Sequence, residues 1–125
     1  MAQLAWVCLA GAAGTGTRYL IGVWTTQRLG AHLPYGTLIV NLVGCFLISA
    51  LAYASTPLGW SPQERTTVLV GFLGGLTTYS SFNYETLRLA QEGAVGLALV
   101  NFAITTAGGL LAGLAGVALA RLLLS

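Results

Sequence analysis

The run Gly71-Phe-Leu-Gly-Gly-Leu-Thr-Thr-Tyr-Ser-Ser-Phe82 sits inside an apolar stretch without charge, 66–84, long enough to cross a bilayer. Its middle is glycine followed by hydroxyls. A helix in hydrocarbon avoids such a run, because every backbone group freed there costs several kcal/mol. Irregular backbone at that depth is tolerated where it is buried in protein or lines a polar cavity, and discontinuous helices present their freed groups to ions. The segment reads as a broken membrane helix at an ion site.

The rest of the chain agrees that the solvent is lipid. Hydrophobic residues make up 56% and charged residues only 6%, against roughly 25% charged in soluble domains. Arg18, Arg28, Glu64, Arg65, Glu85, Arg88, Glu92 and Arg121 punctuate four uncharged windows, 2–17, 29–63, 66–84 and 93–120. A spanning helix needs about 20 apolar residues. The first window reaches that length through Tyr19 to Val23 if Arg18 snorkels or faces a polar interior. Four transmembrane helices are therefore expected, near 4–23, 36–54, 66–89 and 95–123.

The connections carry loop chemistry. Arg28, Gly30, His32 and Pro34 mark the first, at 26–34. Pro57, Gly59, Pro62 and Glu64 mark the second, at 55–65, and Gln91-Glu92-Gly93 is a short third turn. No stretch forms a soluble domain, so 1–125 reads as a single integral membrane domain of an all-α, multi-pass protein. The N-terminus lacks the basic start of a signal peptide, and the first helix is expected to be retained. Cys8 and Cys45 fall within the expected spans as free thiols, suggesting neither a disulfide framework nor a metal site.

Four spans place the N-terminus, second loop and C-terminus on one side, with Arg65 and Arg121. The other side has Arg28 and Arg88, with Arg18 if it reaches that interface, and the chain has no lysine. Arginine and lysine asymmetry sets topology, so this chain carries little instruction about which way to insert. Two readings stay open: other signals settle one orientation, or the chain inserts both ways and pairs as an antiparallel dimer. Small residues four apart (Ala10 and Gly14, Ala12 and Gly16, Gly109 and Gly113, Ala112 and Gly116) allow close helix approach within or between subunits. A homodimer is the expectation.

Polar residues recur at depth. Thr37 and Asn41 share a face of the second helix with Gly44 and Cys45. Asn101 and Thr105 are four apart on the fourth. Tyr79 and Phe82 lead to Glu85 on the third, with Ser80 and Ser81 between the rings. Each alone is explained by interhelical hydrogen bonding. Three helices offering donors toward each other make a track. Amide N–H and hydroxyl donors suit an anion, as do the electropositive edges of aromatic rings. A cation route would show carboxylate rings or carbonyl filters, and the carboxylate near this zone is Glu85 alone. Arg18 would raise anion concentration at a vestibule. The residues lead to a small-anion pathway.

Over essentially its full length the chain resembles the CrcB/Fluc family of fluoride channels. The resemblance rests on Gly14-Thr-Gly-Thr-Arg18-Tyr19, on Gly36-Thr-Leu-Ile-Val-Asn41-Leu-Val-Gly44, and on Gly71 to Phe82 with Glu85. It implies an antiparallel dual-topology dimer with two pores in a prokaryotic inner membrane, passively exporting fluoride from the cytoplasm and so lowering its toxicity. It puts Asn41 on the fluoride path beneath the vestibule, Tyr79 and Phe82 at the two aromatic positions, and Ser80 and Ser81 at the hydroxyl positions between them. Gly74 and Thr77 match the break whose backbone carbonyls hold a central structural sodium ion (Na+) at the dimer interface. Arg18 matches an arginine near the pore mouth, Glu85 an acidic residue at the far end, and Thr105 a lining residue of the fourth helix. Two departures stand out. Tyr79 replaces the usual phenylalanine; its hydroxyl either adds a donor or blocks the path, making this subunit half of a heterodimer with a paired homologue. Gly109 stands where a hydroxyl residue is common.

Other functions fit less well. A four-helix proton-coupled multidrug exporter needs a carboxylate in its first helix, and 4–17 has none. A non-conducting partner subunit would use the glycines for packing but would not need Asn41, Ser80 and Phe82 to converge. Gly11 to Arg18 superficially resembles a phosphate-binding loop, yet Thr17 stands where lysine is required. His32 is alone, with no nucleophile–base pair, so neither an enzyme nor a nucleic-acid partner is expected.

Overall fold

In a computed structural model, which describes residues 1–125, the chain is all-α with no strand. The first helix, α1 (Ala2–Leu29), is longer than the expected span. The residues from Thr26 to Arg28, expected to open the first loop, continue the helix instead. Thr25 is buried and returns its hydroxyl to the Gly22 carbonyl at 3.1 Å, so its polarity does not compete with helix formation. The helix stops at Gly30, whose φ of 84° leaves the helical path.

The second helix, α2 (Tyr35–Ala54), starts after Pro34. The next begins at Pro62, earlier than expected, because Ser61-Pro-Gln-Glu64 closes a capping box. Glu64 N–H donates to Ser61 Oγ at 3.1 Å, and Ser61 N–H donates to Glu64 Oε2 at 2.7 Å. We call 62–76 α3; it contains a π-helical segment, Thr67–Phe72. Extended backbone at Thr77 and Thr78 separates it from α4 (Tyr79–Gln91). The last helix, α5 (Val95–Leu124), carries a second π segment at Ile104–Gly108.

α2 and α5 are each long and apolar enough to cross a membrane, with mean hydropathies of 2.0 and 1.9. At 1.5 Å per residue, 28-residue α1 also exceeds the roughly 30 Å hydrocarbon core. α1 packs along α3 and α2, α2 packs along the C-terminal half of α5, and α4 packs on the N-terminal part of α5. Two glycines set the closest crossings. A Cβ on Gly14 of α1 would run into the Phe72 carbonyl and stand 2.8 Å from Leu76 N; one on Gly116 of α5 would strike the Phe46 carbonyl of α2. Both small residues therefore pack helices within the chain.

The interior is small. Val40, Leu73 and Leu76 form one buried cluster, while Leu33, Leu38, Leu89 and Ala98 form another toward the first loop. Only 20 of 125 residues are buried, and large apolar side chains such as Leu110 (70% exposed) and Leu122 (79% exposed) cover the outside. Water would not tolerate that much contiguous apolar surface. This is the exterior of a membrane protein.

Candidate functional site

The site is built around two residues without helical geometry. Thr77 (φ −94°, ψ 155°) and Thr78 (φ −153°, ψ 119°) are extended, and each backbone group they remove from a helix needs another partner. Asn41 supplies two. Its Oδ1 accepts the Thr78 N–H at 2.8 Å, and its Nδ2 donates to the Thr78 carbonyl at 3.0 Å. In a continuous helix Thr78 N–H would donate to the Gly74 carbonyl, which is thereby released. Thr77 turns its hydroxyl back onto the Leu73 carbonyl at 2.9 Å. The Gly75 carbonyl accepts from Arg18 Nε at 3.0 Å and from Thr15 Oγ1 at 3.5 Å. Thr78 then caps α4, its hydroxyl oxygen accepting from Ser81 N–H at 3.2 Å.

A cavity of about 340 Å³ opens beside this interruption. Asn41, Gly74, Thr77, Tyr79, Phe82 and Thr105 all line it, so six of the sequence-predicted site residues meet at one place. Phe82 is buried, and its ring meets the Tyr79 ring nearly edge-on, with centroids 5.6 Å apart and planes at 74°. Tyr79 is 79% exposed in the single chain. Thr105 lies in the π segment of α5 and its Oγ1 is buried without a hydrogen-bond partner. An unspent donor facing a cavity invites a ligand.

The remaining polar residues gather at a second, open cavity of about 540 Å³, lined among others by Arg18, Tyr19, Thr37, Ser81 and Glu85. Thr37 Oγ1 donates to Glu85 Oε1 at 3.0 Å, and Glu85 Oε2 is buried with no partner. Thr78 lines the first cavity and its hydroxyl donates to Ser81 Oγ at 3.1 Å. A hydroxyl pair thus stands between the two spaces. Ser80 lines neither of these two cavities; it is exposed, 3.4 Å from the Thr78 hydroxyl.

Sequence reasoning missed Thr78, the most connected residue of the site. Its signal was present, since an extended Thr before Tyr-Ser-Ser has the form of an N-cap. Interhelical hydrogen bonding was one expectation for Asn41, and its amide does clamp the interruption, while the Arg18 Nε caps the end of α3, a role the sequence did not single out. Charge-assisted donation to a helix C-terminus is favourable. Each retains further N–H groups.

Extended backbone between two helices, a buried hydroxyl without a partner and two aromatic rings lie together at one cavity of this all-α protein. A family model described as "CrcB-like protein, Camphor Resistance (CrcB)" matches residues 5–117, and the chain belongs to that family. It is similar to the "Fluoride-specific ion channel FluC" of Acidobacterium capsulatum, 47% identical over 108 residues and covering 86% of each chain. It is also similar to proteins of the same name from Sorangium cellulosum (47% identical over 121 residues, 96% of this chain and 95% of that one) and Pseudomonas putida (46% over 124 residues, 97% and 98%).

Proposed function

We propose that this protein is a fluoride channel that lets the ion leave the cytoplasm of a prokaryote passively across the inner membrane. The observation that carries the reading is the convergence of Asn41, Thr105 and the Tyr79 and Phe82 rings on one cavity. All are neutral groups able to meet an anion with N–H, O–H or C–H. Fluoride is the ion named for the relatives. Arg18, Thr37 and Glu85 form the mouth, with Arg18 attracting the ion. Ser81, beside the Thr78 hydroxyl, passes it inward, and the ring edges beside Thr105 receive it. Uncharged donors bind weakly enough to release the ion, as conduction requires.

The working unit is an antiparallel dimer inserted in both orientations within lipid. Support comes from the balanced arginines and from a cavity open on the side of Gly74, where nothing lies within 4 Å of an added Cβ. A structural sodium ion fits the same place. The Gly74 carbonyl is released from helical bonding and the Thr77 backbone turns away from it, giving hard, neutral oxygen donors of the kind sodium takes. Bound there, sodium would be held by the partial negative charge of the Gly74 and Thr77 carbonyl oxygens.

Fluoride and chloride efflux from liposomes containing this purified chain alone is the test. Fluoride efflux without chloride efflux is expected. Absence of fluoride efflux from correctly assembled protein would remove the reading.

A further inference from the structure

Thr86 lies one turn after Phe82 on α4, and its hydroxyl donates to the Phe82 carbonyl at 2.7 Å. A hydroxyl has one proton. Its other hydrogen bond, to Asn101 Nδ2 at 2.9 Å, is therefore donated by the amide and accepted by Thr86. Asn101 is 1% exposed, so water does not compete for that amide. The next residue on α5, Phe102, stacks on the Phe82 ring with centroids 6.3 Å apart and planes at 26°. α5 thus grips Phe82 twice, at its backbone through a two-bond relay and at its ring through a face.

We infer that Asn101 and Phe102 are positioning residues for the Phe82 ring, the first acting through the Thr86 hydroxyl and the second by stacking. The inference rests on the fluoride-path reading of Phe82, and gives it a physical requirement. A ring attracts an anion at its edge and repels it at its face, so a small rotation of α4 about its axis turns an attractive wall into a repulsive one. Apolar packing alone is non-directional. The Asn101–Thr86 hydrogen bond is directional and fixes that rotation, while Phe102 covers one repulsive face of the ring.

Thr86→Val removes the hydroxyl at nearly constant shape, and Thr86→Ser restores it. In proteoliposomes of the full chain, Thr86→Val is expected to lower saturating fluoride efflux about tenfold and Phe102→Leu about threefold, with Thr86→Ser within about twofold of the parent, as misplacement of a contacting group predicts. Fluorine NMR of 4-fluorophenylalanine placed at position 82 reads the ring directly. One line is expected in the parent and in Thr86→Ser, and a broadened or split line in Thr86→Val and Asn101→Leu. An unaltered line in Thr86→Val, or Thr86→Ser as impaired as Thr86→Val, overturns the inference. A parent that conducts no fluoride but whose line still responds to Thr86→Val leaves the positioning standing and removes the conduction reading instead.

Discussion

The stretches before and after the interruption, 62–76 and Tyr79–Gln91, follow one another in the chain and are held by different physics. The first is pressed against α1 chiefly by close approach, with polar bonds from Arg18 and Thr15 confined to its last turn: Gly71 and Gly75 face α1 as Gly14 faces α3, and backbone meets backbone. The second is held on α5 and α2 by named polar bonds, Asn101 to Thr86 and Thr37 to Glu85, and by a stack of rings. Shape fastens the scaffold half; directional bonds orient the half that carries the donors. A pathway needs that division, because packing tolerates no variation in volume whereas hydrogen bonds set the angle at which a donor or ring edge is offered.

The largest effect is expected from damaging the scaffold. Gly14→Leu drives a side chain into the Phe72 carbonyl and Leu76 N, and overpacking of about 1–3 kcal/mol or more should remove folded protein from detergent extracts, as read by size-exclusion recovery. A normal yield of Gly14→Leu would show that α1 and α3 are not rigidly apposed.

Next is the joint between the halves. Asn41→Leu fills the space but leaves the Thr78 N–H and carbonyl without partners, a loss of about 1–3 kcal/mol for each buried group. Fluoride efflux should fall at least about a hundredfold with such a loss, and thermal unfolding should shift down. Parental stability in this variant would mean that the interruption does not depend on α2.

Phe82→Ile acts on the oriented half alone. It keeps apolar bulk, so stability should change by less than about 1.5 kcal/mol, while loss of the ring edge should reduce fluoride efflux by about tenfold or more. Equal effects on stability and flux would erase the distinction between the halves. The smallest change is Tyr79→Phe. The hydroxyl is on an exposed ring, and flux should stay within about twofold, a fraction of the roughly 1 kcal/mol a hydrogen bond contributes. A marked fall would assign the hydroxyl to the ion.

The two halves also differ in how far they could be read from residue order. Glycine followed by hydroxyls in an uncharged run points to an interruption near Gly74 to Thr78 on composition alone. Hydropathy locates α2 and α5 for the same reason, since burial in lipid is a property of whole segments. Pairings are another matter. Asn41 and Thr78 are 37 residues apart, and nothing in periodicity says that this amide, rather than a water or an ion, meets that backbone. Phe102 reads as one more apolar residue of a lipid-facing helix until α4 lies beside it. The early start of α3 was legible in Ser61-Pro-Gln-Glu64, but the loop composition around it obscured the cap.

The clamp on Thr78 also has a direction in time. Residue 41 leaves the ribosome before residue 78, so α2 can already be in the membrane when the kinked segment arrives, with a two-handed amide waiting at the right depth. The opposite order would deliver bare peptide groups into oil with nothing to receive them. Placing the receptor upstream of the defect means that its partner is already made when the discontinuity is synthesised.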